Sequence, residues 1–191
     1  MTAYESHHTI YGDKKLGFVL YLLGELVMFA TLFATYIIFS RQGVNPTPSE
    51  VFEARTVIIS SVFLLSSSGT IHLAEKAFKR EETRKLWGWL IATIILAAAF
   101  LIMESHEFQV YYAEGFTLTT NVFLSSFYIL VGLHAAHVVF GIGWMLLLAY
   151  QINRIPSSIY EQKQTIFGYY WHFVDIIWLF ILAIVYIPYL L

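Results

Sequence analysis

Residues 16–40 have the sequence LGFVLYLLGELVMFATLFATYIIFS, in which Glu25 is the one charged side chain. A helix rises ~1.5 Å per residue, so about 20 apolar residues cross the ~30 Å hydrocarbon core of a bilayer. This segment is therefore predicted to be a transmembrane helix. Residues 1–15 are polar and lack the short apolar core and cleavage site of a secretory signal. We expect them to form a cytoplasmic tail, with the first helix acting as the insertion signal.

The rest of the chain contains four more apolar stretches of spanning length. Residues 56–74, 86–103 and 116–153 carry no charge, and residues 164–191 carry only Asp175. The predicted spans are about 16–40, 54–76, 86–110, 121–150 and 164–190. We therefore predict an all-α polytopic membrane protein, with a single five-helix transmembrane domain over residues 16–191.

The composition agrees with lipid as the main solvent. Hydrophobic residues make up 58% of the chain, aromatic residues 18% and charged residues 13%, against about one quarter charged in a soluble domain. The formal net charge of −2 offers no field that would attract nucleic acid. The absence of cysteine excludes disulfides, thiolate metal sites and a catalytic thiol.

Lysine and arginine indicate the orientation. Nine of them lie in the tail and in the loops after the second and fourth spans: Lys14, Lys15, Lys76, Lys79, Arg80, Arg84, Lys85, Arg154 and Lys163. The other side has only Arg41 and Arg55. Because cytoplasmic loops are rich in basic residues, we expect the N-terminus in the cytoplasm and the C-terminus outside.

The pattern Thr47-Pro48-Ser49-Glu50 predicts a capping box that starts the second helix before its membrane-embedded part.

Six ionisable side chains are expected at membrane depth, where unpartnered polar groups are costly. They are Glu25, His72, His134, His137, His172 and Asp175. Counting ~1.5 Å per residue from the expected span ends places all six in the cytoplasmic half, and we predict that several meet in one inner-leaflet polar cluster. Three interpretations stay open: interhelical hydrogen bonds that fix packing, proton handling by Glu25, and a metal or haem site on the histidines.

Five motifs in order along the chain resemble subunit III of haem–copper respiratory oxidases. The first is an acidic and aromatic helix, residues 25–36 (ELVMFATLFATY), and the second is the small-residue segment 66–69 (SSSG). The third is an acidic segment with Glu104, Glu107 and Glu114, which the expected orientation places at the outer face. The fourth and fifth are residues 126–141 (SFYILVGLHAAHVVFG) and 170–180 (YWHFVDIIWLF).

The resemblance covers about residues 15–188 and implies the short five-helix bacterial form of that family. It implies a non-catalytic subunit, with no catalytic, cofactor-binding or metal-binding residues of its own, in a multi-pass bacterial plasma-membrane complex. Haem and copper are expected in the partner subunits I and II. The chain is expected to pack against subunit I, to bind phospholipid and to support proton uptake. Small subunits would complete the complex, and cytochrome c or quinol would donate electrons to it.

The same resemblance gives Glu25 the position of the family's mid-span carboxyl, which reacts with hydrophobic carbodiimides. The quinol-oxidising branch often has Asp-Cys where this chain has Gly24-Glu25, which favours an aa3-type cytochrome c oxidase. A menaquinol or ubiquinol oxidase and an accessory protein of nitric oxide reductase are the alternatives. An independent transporter or b-haem protein is a further one, but we find neither inverted repeats nor broken helices in the sequence.

Overall fold

The computed structural model describes the backbone of residues 3–40 and 54–190. Side chains are described for residues 15–40 and 55–188. The capping box predicted at Thr47–Glu50 lies outside these ranges. The described residues form five long helices, followed by a short π-helical turn (Leu182–Tyr186) and α6 (Ile187–Leu190). The long helices are α1 (Ala3–Ser40), α2 (Ala54–Lys79), α3 (Thr83–Ala113), α4 (Val122–Gln151) and α5 (Ser157–Ile181).

These five helices contain stretches apolar and long enough to cross a membrane: 15–40, 55–79, 83–113, 122–151 and, with the π-helical turn, 157–186. No strand occurs in the described ranges. The predicted all-α fold with five spanning helices is therefore confirmed.

Local interactions explain where two of the helices begin or end. The Asn121 side chain caps α4 by accepting a hydrogen bond from the backbone N–H of Leu124 at 2.8 Å. Gly115 follows α3 with a φ of 85°, a conformation that favours glycine.

Helix α5 holds the bundle together through its tryptophans. Trp171 and Trp178 are fully buried. Their indole N–H groups donate to hydroxyls on α2, Trp171 to Ser67 at 3.0 Å and Trp178 to Ser61 at 3.1 Å. On its other side, α5 meets α4 at Gly141, where the indole of Trp171 lies against the glycine backbone. Large aromatic area and satisfied indole groups together explain why this helix is the most buried of the five.

Helix α1 lies at the edge of the bundle, with only 11% of its most apolar window buried. Phe18 contacts Trp144 of α4, with ring centroids 5.9 Å apart. The Tyr36 hydroxyl donates to the carbonyl of Val185 at 3.3 Å, in the π-helical turn. That turn precedes Pro188, which lacks a backbone N–H and would clash with the carbonyl four residues earlier, so a widened turn is a physical way to continue the helix. The remaining face of α1 is exposed and apolar, as suits contact with lipid or another subunit.

The chain runs up and down, so alternate helix ends meet. Phe78 at the end of α2 packs on Tyr160 at the start of α5, with centroids 4.6 Å apart. The ends of α2 and α4 and the starts of α3 and α5 therefore share one end of the bundle. The basic residues of the two loops at this end, including Arg80 and Arg154, concentrate there.

Candidate site of paired polar groups between the helices

Glu25 and His137 join α1 to α4. The Glu25 Oε2 atom lies 3.2 Å from His137 Nε2, and the two side chains are 18% and 12% exposed. The other ring nitrogen, Nδ1, lies 2.8 Å from the carbonyl oxygen of Leu133, one turn earlier in α4. The hydroxyl of Tyr170 on α5 donates to the His137 carbonyl at 2.8 Å. One imidazole thus connects a carboxyl on α1 with the backbone of α4.

Ser68, His172 and Asp175 form a second polar group, between α2 and α5. The Ser68 hydroxyl donates to Asp175 Oδ2, and its oxygen lies 3.2 Å from His172 Nδ1. Because the serine has a single hydrogen, which goes to the carboxyl, the imidazole Nδ1 must donate to the serine oxygen. The Asp175 side chain is 8% exposed, whereas that of His172 is half-exposed. The group is a directed chain of hydrogen bonds from the surface of the bundle to a buried carboxyl.

His134 lies in the aromatic interior and is fully buried. Its ring stacks on Trp178 with centroids 5.1 Å apart, and Phe100 of α3 meets it edge to face at 5.9 Å. Neither ring nitrogen has a hydrogen-bond partner among the described residues. His134 is therefore placed as a packing residue whose polar edge faces aromatic rings.

The six predicted residues thus do not form one hydrogen-bonded cluster within the described part of the chain. Glu25 meets His137, and His172 meets Asp175 through Ser68. His72 is exposed on α2.

The three glutamates predicted to lie at the outer face differ in their exposure in the structure. Glu114 is exposed, but Glu104 and Glu107 are only 2% and 4% exposed. The Ser60 hydroxyl of α2 lies 3.4 Å from Glu104 Oε1, and the Tyr111 hydroxyl donates to Glu107 Oε1. Sequence reasoning missed this burial because the uncharged stretch ended at Met103. The signal was present: the buried stripe of α3 continues at three- and four-residue intervals through both glutamates to Tyr111.

Metal binding was one of the open interpretations for the histidines. Within residues 3–40 and 54–190, no group of three or more His, Asp or Glu side chains is arranged to hold a metal ion. Two of the polar groups, Glu25 with His137 and Ser68 with His172 and Asp175, instead join side chains of different helices through hydrogen bonds.

Comparison with known families gives this arrangement its context. The family model described as cytochrome c oxidase subunit III matches residues 1–189. The chain belongs to the cytochrome c oxidase subunit III family. It is thus subunit III of a haem–copper oxidase complex and, with five spanning helices, a multi-pass protein of a bacterial membrane. This confirms the family resemblance found in the motifs.

Relatives within this family include oxidases of both donor classes. Cytochrome c oxidase subunit 3 of Bacillus sp. (strain PS3) is 39% identical, over 96% of this chain and 90% of that protein. The protein of the same name from Bacillus subtilis is 40% identical, over 92% of this chain and 86% of that protein. Cytochrome bo(3) ubiquinol oxidase subunit 3 of Pseudomonas putida is 36% identical, over 90% of this chain and 84% of that protein.

Proposed function

We propose that this subunit III is a non-catalytic component of an aa3-type cytochrome c oxidase. It packs against subunit I, binds phospholipid, and supports proton uptake and the lifetime of the complex, with the haems and copper held by subunits I and II. Its orientation has the N-terminus in the cytoplasm and the C-terminus outside. The bundle end that carries the basic loops is then the cytoplasmic end.

The observation that carries this proposal is how the ionisable groups inside the bundle are used. Glu25 pairs with His137 between α1 and α4, and Asp175 bonds to Ser68 between α5 and α2. Such groups fix helix packing with about 0.6–2 kcal/mol per interhelical hydrogen bond. A structural and proton-related role for these side chains therefore fits the family better than chemistry on a substrate.

Phospholipid binding is supported by an apolar cavity of about 370 Å³ between α1 and α5. Its walls include Leu26, Ala30 and Phe33 of α1 and Phe180 of α5. The exposed small side chain of Ala30 leaves room beside the bulky rings. This cavity suits an acyl chain, because the cavity is open to the side and its walls lack hydrogen-bonding groups.

The test is to purify the complex through an affinity tag on this chain and to compare two electron donors. We expect subunit I to co-purify and reduced cytochrome c to be oxidised with oxygen as acceptor. Turnover with quinol and none with cytochrome c would instead establish a menaquinol or ubiquinol oxidase, the class to which the Pseudomonas putida relative belongs by name. Nitric oxide reduction by the purified complex would favour an accessory protein of that reductase.

A further inference from the structure

His172 lies half-way along a spanning helix, yet its side chain is 50% exposed. The span formed by α5 and the π-helical turn covers residues 157–186, so His172 is about 22 Å from either end at ~1.5 Å per residue. An imidazole is too short to reach the lipid headgroups from this depth, and acyl chains offer no hydrogen bonds. We therefore expect the exposed part of the ring to face protein rather than lipid.

The hydrogen bonds within the bundle determine which nitrogen atom of His172 faces outward. The Ser68 hydroxyl gives its hydrogen to Asp175, so His172 Nδ1 carries a hydrogen and donates it to the Ser68 oxygen at 3.2 Å. A charged ring is costly in apolar surroundings, so the ring is neutral and Nε2 has only a lone pair. Within the described part of the chain, no side chain hydrogen-bonds to Nε2. The chain thus presents a hydrogen-bond acceptor at the middle of the membrane.

The surface around this acceptor suits the close approach of another helix. Gly168 lies one turn before His172 on α5, and Gly69 follows Ser68 on α2. No atom of another helix lies within 4 Å of a Cβ built at either glycine. His72 is a further exposed imidazole, one turn beyond Ser68. We call these five residues the α2–α5 patch, and small residues in such a patch let two transmembrane backbones approach closely.

We propose that the α2–α5 patch binds a transmembrane helix of a neighbouring oxidase subunit, which donates a hydrogen bond to His172 Nε2. The donor is a neutral group such as a hydroxyl, an amide or an indole N–H, because these groups can be buried once they are hydrogen-bonded. Gly69 and Gly168 allow the backbone of that helix to come close enough for the contact. The inference rests on the proposed function, because it assigns part of the surface that this chain uses within the complex.

The chemistry of the patch favours a protein partner over a lipid. The cavity between α1 and α5 has apolar walls, including Phe33 and Phe180, which suit an acyl chain. The α2–α5 patch instead presents an acceptor, and lipid headgroups with donor groups lie ~15 Å away at the bilayer surface. The bond to Ser68 also holds the His172 ring in place, so little freedom is lost when a partner binds.

The experiment uses the purified oxidase complex and two substitutions that each keep one half of the imidazole. In His172→Asn, the amide N–H replaces Nδ1 and still donates to Ser68, but the outward acceptor is lost. In His172→Gln, the longer side chain places its carbonyl oxygen near the position of Nε2, so the outward acceptor is kept and the bond to Ser68 is lost. The rate at which this chain dissociates from the complex in detergent is measured for both variants.

We expect His172→Asn to dissociate about tenfold faster than wild type, because it loses the hydrogen bond to the partner. His172→Gln should stay within about twofold of wild type, since the bond that it loses lies inside this chain. A role confined to the bond with Ser68 would give the reverse order. The reverse order, or equal rates for the two variants, would overturn the inference.

A cross-linking measurement leaves His172 itself intact. Ile176 is 50% exposed and lies one turn after His172, at the rim of the patch. With benzoylphenylalanine in place of Ile176, irradiation of the complex should cross-link this chain to a transmembrane segment of another subunit, identified by mass spectrometry. Cross-links to lipid alone would overturn the inference. Neither measurement decides the proposed function, which is judged by co-purification of subunit I and by the electron donor of the wild-type complex.

Discussion

Gly141 is the position where one added methyl group should do the most damage to the packing of α4 on α5. A Cβ atom built there would lie 2.5 Å from Cζ3 and 2.9 Å from Cε3 of Trp171, and 3.2 Å from Cε1 of Tyr170. The indole cannot retreat easily, because it is fully buried and its N–H donates to Ser67 at 3.0 Å. Gly141→Ala should therefore cost about 1–3 kcal/mol of overpacking.

Gly143→Ala is the matched control, two residues further along the same helix. It gains the same helix propensity, about 1 kcal/mol, but no atom lies within 4 Å of its added Cβ. The difference between the two variants therefore isolates the clash. The assay is the temperature at which this chain is lost from the detergent-solubilised complex. We expect Gly141→Ala to be lost at a clearly lower temperature than Gly143→Ala.

A double-mutant cycle with Trp171→Phe identifies the cause. Removing part of the indole should make Gly141→Ala less harmful than it is beside the intact tryptophan, giving a coupling energy on the order of 1 kcal/mol. Equal loss temperatures for Gly141→Ala and Gly143→Ala would refute the reasoning. Strictly additive effects of the two substitutions would refute the assignment to Trp171.

Three further predictions concern other parts of the molecule. Glu81 has a left-handed φ of 59° in the turn between α2 and α3, so Glu81→Gly should stabilise the complex by about 0.5–1 kcal/mol in thermal denaturation, whereas Glu81→Ala keeps the strain and gains nothing. Ser68→Ala removes the hydroxyl that donates to buried Asp175 and should cost about 1–3 kcal/mol of stability in the same denaturation assay. Ser66 is exposed on the same helix, so Ser66→Ala should cost little. Equal losses of stability in the two variants would contradict the hydrogen bond assigned to Ser68. Glu25→Ala should leave initial electron transfer and haem content near normal but impair proton pumping or shorten the turnover lifetime; unchanged proton stoichiometry and inactivation rate would remove any functional role for this carboxyl.

The spanning helices could be predicted because length and apolarity suffice for them. It was harder to predict from the sequence which neighbouring helix each polar residue of one helix would face. His134 and His137 are three residues apart, which rotates them by about 60° around the helix axis. That angle is enough for His134 to face the interior of the bundle while His137 faces α1. Spacing alone does not show where the boundary between two neighbouring helices falls.

The positions where two helices approach each other closely could not be predicted from the sequence pattern either. Gly132 and Ala136 have the four-residue spacing of a close helix contact, yet no atom of another helix lies within 4 Å of a Cβ built at Gly132. The close approach in the bundle is at Gly141, where the shape of the facing indole decides the fit. Such complementarity depends on tertiary geometry, which a local pattern does not contain.

The burial of Glu104 and Glu107 was missed for a different reason. Their charge placed them outside the apolar stretch, although their positions continue the buried stripe of α3. A buried carboxyl is tolerated where hydroxyl groups such as those of Ser60 and Tyr111 offer hydrogen bonds. Those partners come from α2 and from the same helix one turn later, so the three-dimensional packing determines the outcome.

The most direct test of the account is the distribution of haem between this chain and the rest of its complex. The complex is purified through a tag on this chain, its optical spectrum is recorded, and the spectrum is repeated after subunit I has been stripped away. We predict a haem–copper oxidase spectrum before stripping and no Soret band afterwards. A Soret band that stays with the isolated chain would contradict a subunit whose own histidines serve helix packing.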